Sequence, residues 1–95
     1  MIEYLYDAIR ATAGQDIKIY AELTDKDGNV YEEGCHLMLF NPEKELIVTV
    51  DGEIVENEWI FTIPAEITEG LKGRFWYCIC HHNINLCFKE PIYLV

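Results

Sequence analysis

The chain reads as an all-β, immunoglobulin-like β-sandwich of about seven antiparallel strands with one short helical turn. Three observations predict it. Apolar residues alternate with polar ones at a period of two in several short runs, turn-forming Asp, Asn, Gly and Pro separate those runs at intervals of about 8–12 residues, and 51% of the 95 residues are apolar. That apolar fraction serves one core, so residues 1–95 are expected to form a single domain.

The first dozen residues fit two periods. Ile2, Leu5, Tyr6 and Ile9 fall on a helical face, whereas Ile2, Tyr4 and Tyr6 fit a strand; a strand near residues 8–13 is favoured, with residues 1–7 as an amino-terminal arm. Ile17, Ile19, Ala21 and Leu23 then alternate with Lys18, Tyr20, Glu22 and Thr24, the pattern of a half-buried strand. Asp25-Lys26-Asp27-Gly28-Asn29 follows as a tight turn. It resembles part of a calcium loop, but its glycine is fourth where an EF-hand needs it sixth, so local side-chain to backbone bonding is the expected role.

A second strand covers residues 36–40 and closes at Asn41-Pro42, because proline lacks the amide that extends a ladder. Residues 46–50 are rich in β-branched side chains and are expected to stop at a turn on Asp51-Gly52. Trp59, Phe61 and Ile63 point one way from the next strand. The helical turn lies after it, with Pro64 suited to its start, Glu66 near its positive end, Gly70 at its stop, and Ile67 and Leu71 turned inward. Residues 74–80 are apolar at nearly every position, as in a central strand, and residues 81–86 connect it to a last strand over 87–95.

Seventeen acidic residues against seven basic ones give a formal charge of −10. Nucleic acid and anionic membrane are therefore poor partners, since both are bound through basic surfaces. The acids lie in predicted turns between apolar runs, where solvated charge is their ordinary role. No run approaches the roughly 18 apolar residues of a membrane span. Met1-Ile2-Glu3-Tyr4 also lacks the basic-then-apolar order of a secretory signal, so synthesis in the cytoplasm with reduced thiols is expected.

Catalytic constellations are absent from the sequence. It contains no serine, no glycine-rich phosphate loop follows a strand, and a cysteine next to a histidine in a strand points to the opposite face. No enzymatic activity and no cofactor are expected. The densest cluster of chemical groups is Cys78, Cys80 and His82 with Cys87, residue types that bind zinc, although the spacing matches none of the common zinc motifs. If Cys80 stands opposite Cys87, Ile79 faces Phe88 and Tyr77 faces Glu90, which turns Phe75, Tyr77, Ile79, Leu86 and Phe88 inward and Trp76, Cys78, Cys80 and Cys87 outward. The same opposition would allow a disulfide in an oxidised particle, but compact apolar thiols are the expected state.

Trp76, Cys78, Cys80, Pro91 and Tyr93 share the outward parity and form the candidate partner interface, because clustered outward aromatics mark contact surfaces. Two coverings are open for this face, the first strand or arm of the same molecule and a neighbouring subunit.

Ala13-Gly14-Gln15-Asp16, the alternating strand, residues 24–29, and the later runs 63–68 and 71–77 together resemble small immunoglobulin-like phage proteins. They are similar to the amino-terminal domain of baseplate upper proteins and to its free-standing versions in phages and prophages of Gram-positive bacteria. The resemblance covers residues 8–95 and implies a virion-associated, non-catalytic sandwich assembled in several copies with itself and other virion subunits. Two other classes compete: an acidic inhibitor that occupies the basic groove of a host nuclease or DNA-binding protein, and a cell-surface carbohydrate-binding module that presents Trp76.

Overall fold

The computed structural model describes the backbone of residues 2–5, 8–82, 84–85 and 90–95, and the side chains of residues 10–82 and 91–95. Nine strands and one helical turn are found among them, in the order β1 (Ile2–Leu5), β2 (Ala8–Ala11), β3 (Ile17–Ala21), β4 (Cys35–Phe40), β5 (Leu46–Val55), β6 (Glu58–Ile63), α1 (Ala65–Thr68), β7 (Gly73–His81), β8 (Ile84–Asn85) and β9 (Glu90–Leu94). No described helix is long and apolar enough to cross a membrane.

The strands form two layers joined by β5. The first sheet runs β1-β2-β9-β7-β4 to the leading half of β5, and the second is the trailing half of β5 with β6 and β3. Residues Leu46 to Asp51 pair with β4, and Gly52 to Val55 pair with β6, so one strand passes between layers at Asp51-Gly52. The chain does not turn back there, contrary to the reading of Asp51-Gly52 as a turn. Gly52 serves a close approach instead: a Cβ on it would stand 2.6 Å from both Phe61 Cε1 and Trp59 Cε3. The reversal falls at Glu56 and Asn57, whose φ values of 51° and 67° make the two-residue turn that joins Val55 to its partner Glu58.

Period-two patterning puts the expected residues between the layers. Ile17 and Ile19 of β3, Trp59, Phe61 and Ile63 of β6, Leu37 and Leu39 of β4, and Phe75 and Ile79 of β7 are buried in one cluster, together with Ile92 and Leu94 of β9. Each such side chain contributes about 1.5–3 kcal/mol on leaving water. Ile67 and Leu71 pack against this cluster from α1 and the segment after it. Thr68 is fully buried: its hydroxyl accepts the amide of Gly14 at 3.0 Å and lies 3.2 Å from the carbonyl of Gln15. Among the described residues no buried side-chain nitrogen or oxygen lacks a hydrogen bond.

The amino terminus departs from the expected arm. β1 pairs antiparallel with β2, and β2 pairs in parallel with β9 through Ile9–Ile92, Arg10–Tyr93 and Ala11–Leu94. These strands extend the first sheet sideways as ladder neighbours. Ala11, 1% exposed, closes the core at that side.

At the other end of β7 the register differs from the one considered for the cysteines. Tyr77 does stand opposite Glu90, but Cys80 stands opposite Asn85 and His81 opposite Ile84. The directly opposed partner of Cys80 is therefore Asn85 and not Cys87. Residues Leu86, Cys87 and Phe88 lie outside the described residues, and with them the expected inward placement of Leu86 and Phe88.

Candidate functional site

β7 is central in the first sheet, between β4 and β9, and its alternation fixes two faces. Phe75 and Ile79 point into the sandwich. Trp76, Cys78 and Cys80 point outward, opposite Phe40, Met38 and His36 of β4, while Pro91 stands beside Trp76 and Tyr93 beside Arg74. The parity read for Trp76, Cys78, Cys80, Pro91 and Tyr93 thus places all five on one face.

Their accessibility differs. Cys78 and Cys80 are 2% and 3% exposed, in a small outer cluster with Phe40 against which Met38 and Trp76 pack. Their sulfurs lie 3.7 Å apart, and Cys80 Sγ lies 4.0 Å from Met38 Sδ. These are van der Waals separations between soft groups, far from the roughly 2.05 Å of a disulfide. A partner cannot touch two buried thiols. The accessible part of this face narrows to half-buried Trp76 and Pro91 and exposed Tyr93, with Cys78 and Cys80 as the apolar bed beneath Trp76.

Two cations converge on that tryptophan. Arg74 Cζ lies 4.3 Å and Lys44 Nζ 5.1 Å from the ring centroid. Each such contact is worth about 0.5–1 kcal/mol at an exposed site. The arginine gets there by alternation, two residues before Trp76 on the same strand. The lysine is carried by the β4–β5 turn, in which Asn41 Oδ1 accepts the Glu45 amide at 2.8 Å and Lys44 adopts φ 66°. Arg10 joins them from β2, exposed and paired with Tyr93. Neither Arg74 nor Lys44 meets a carboxylate among the described residues. Sequence reading singled out Trp76 and Tyr93 but missed these cations. The signal for Arg74 was available in its parity with Trp76; that for Arg10 and Lys44 was not, since it needed the parallel β2–β9 pairing and the turn geometry.

A second concentration of polar chemistry lies at the opposite end of β4. Gly34, Cys35, His36, Asp51, Gly52 and His82 line an open depression of about 550 Å³. His82 donates its amide to the Gly34 carbonyl at 2.9 Å, and its ring lies so close over Gly34 that a Cβ there would stand 2.6 Å from it. His81 stacks on Tyr31 with centroids 4.2 Å apart and tilts against His82 at 4.3 Å. Cys35 belongs to the core cluster, and burial pushes its thiol up from 9.0, the reverse of what an activated nucleophile requires. Among the described residues no three His, Cys, Asp or Glu side chains gather as a metal site. Of the considered zinc ligands, Cys78 and Cys80 are in the outer cluster, His82 lines the depression, and Cys87 lies outside the described residues.

Comparison with known proteins bears on the fold. No protein-family profile matches the chain. No curated protein sequence matches it either. Among solved structures the chain is similar to the filamin domain of Lin-41, with a TM-score of 0.66 and 14% identity over 90% of this chain and 82% of that one. The fold is accordingly an immunoglobulin-like β-sandwich.

Proposed function

We propose that this chain is a non-catalytic assembly protein, a structural module of a phage or prophage particle, and that it works through protein–protein contacts on the outer face of its first sheet. The observation that carries the reading is Trp76: a half-buried tryptophan on an apolar bed, flanked by exposed Tyr93 and by two cations without carboxylate partners among the described residues. Rigid aromatics with arginine beside them are the usual anchors of protein interfaces. The immunoglobulin-like fold is of a type that is typically non-catalytic, and the buried Cys35 thiol has no activating geometry. The virion assignment is supported by the resemblance of the turn and strand order over residues 8–95 to small immunoglobulin-like phage proteins. The partners are then other virion subunits and copies of the chain itself.

The test is mass spectrometry of particles purified from the producing bacterium, with the wild-type chain and with Trp76→Ala/Tyr93→Ala. The wild type is expected in the particles and the folded double variant is expected to be lost from them. Particles without the chain, or equal incorporation of the variant, would contradict the reading.

A further inference from the structure

The chain carries a formal charge of −10, yet both of its arginines and one of its five lysines sit on one face. Arg10, Tyr93 and Arg74 follow one another across β2, β9 and β7, and Trp76 lies between Arg74 and Lys44. Cations in an acidic chain ordinarily neutralise neighbouring carboxylates; here Arg74 and Lys44 crowd one ring instead.

The outer surface of the β5–β6 hairpin has the complementary character. Glu53 and Val55 of β5 point outward opposite Ile60 and Glu58 of β6, and Glu56 occupies the turn. Val55 is 47% exposed among these three carboxylates, and Tyr20 of β3, beside Ile60, is also 47% exposed. The one cation of the outer face formed by β3, β6 and the trailing half of β5, Lys18, stands at the other end, opposite Thr62.

We propose that copies of this chain stack head to tail, the cation-flanked Trp76 face of one copy receiving the acidic β5–β6 hairpin of the next. The proposal rests on the assembly reading above and names its partner as a second copy. Three carboxylates around an apolar Val55 meet three cations around Trp76 and Tyr93, which satisfies the charges and buries exposed apolar surface on both sides. Net repulsion between two acidic chains does not forbid the contact, because at physiological ionic strength charges beyond a Debye length of about 8 Å are screened while those at the interface are not. The two surfaces differ and belong to opposite layers of the sandwich, so the contact is heterologous and propagates into a ring or a filament.

The experiment is sedimentation velocity on wild type, on the face variant Lys44→Gln/Arg74→Gln, on the hairpin variant Glu53→Gln/Glu56→Gln, and on their equimolar mixture, neutral substitutions being used so that the two altered surfaces do not complement each other. All four positions are exposed. The wild type is expected to grow beyond a dimer as concentration rises, and each variant alone to stay monomeric. The mixture is expected to stop at a dimer, since each variant retains one intact surface. Near-ultraviolet circular dichroism checks each fold; for a variant that fails it, Arg74→Gln alone or Glu53→Gln alone takes its place with the same expectation. A wild type that stays monomeric to millimolar concentration, variants that assemble like the wild type, or a mixture that stays monomeric would overturn stacking. A monomeric wild type whose incorporation into particles still needs Trp76 and Tyr93 would overturn stacking alone and leave the assembly reading standing.

Discussion

Gly52 and Phe61 face each other across the β5–β6 ladder with no room for a side chain between them, since a Cβ on Gly52 would stand 2.6 Å from Phe61 Cε1. Trp59 Cε3 approaches from the neighbouring position at the same distance. Both rings are core, 0% and 3% exposed, so neither can swing away into solvent. Gly52→Ala is therefore expected to lower stability by about 1–3 kcal/mol through overpacking. Urea unfolding measures it, with exposed Thr49→Ala as the comparison, expected within about 0.5 kcal/mol of the wild type.

Thr68 ties α1 to the loop before β3. Thr68→Val keeps the shape but removes the acceptor of the exposed Gly14 amide, a loss of about 0.5–1.5 kcal/mol. Thr68→Ser retains the hydroxyl and is expected to recover most of that stability. The difference between the two variants in chemical denaturation is the measurement, and equal losses would show that the methyl, not the hydroxyl, matters.

The turn after β3 is organised by one carboxylate. Asp25 Oδ1 accepts the amides of Asn29 at 2.9 Å and Asp27 at 2.8 Å. The Asn29 amide foremost, with help from Asp27, holds its carboxyl below the ordinary 3.8. A lowered folded-state value means that its contribution is fully present above about 3.8 and lost as pH falls through the folded-state value. Asp25→Asn is expected to flatten that part of the stability–pH curve. A carbon-detected NMR titration should place the Asp25 midpoint under 3.8, and a midpoint above it would contradict the turn described here.

Cys35, Cys78 and Cys80 are at most 3% exposed. Alkylation of the native protein, followed by peptide mapping, is expected to leave these three thiols unmodified until denaturant is added. Fast labelling of Cys78 or Cys80 would mean that the outer cluster opens readily.

Much of this architecture was legible where pattern is local. Ile17 and Ile19, and Trp59, Phe61 and Ile63, declare their buried face by alternation alone, and Pro64 with Gly70 brackets the helical turn. The misread turn shows where local reasoning stops. Asp51-Gly52 carries the chemistry of a hairpin turn, but its glycine answers to rings that arrive from β6, whereas the actual turn uses Glu56 and Asn57 in left-handed conformations, which suit asparagine but which glutamate does not advertise. At the amino terminus the strand expected near residues 8–13 is found as Ala8–Ala11, but Ile2–Leu5 forms a strand where an arm was expected, and no nearby residue signals that Ala8–Ala11 pairs in parallel with β9, more than eighty residues away.

The candidate face was half legible. Parity assigned Trp76, Cys78 and Cys80 to the outer surface but said nothing of depth, and packing with Phe40 and Met38 buries both thiols there. Arg74 was readable on the same parity, yet its meaning depends on Lys44 arriving over the same ring from a turn some thirty residues earlier.

Hydroxyl-radical footprinting of Trp76 and Tyr93, in the dilute chain and in the purified assembly, tests whether the Trp76 face is a protein contact surface. Oxidation of both side chains is expected to fall several-fold on assembly, while exposed Ile47 on the β5 edge stays reactive. Equal oxidation of Trp76 and Tyr93 in the two states would contradict a contact on that face.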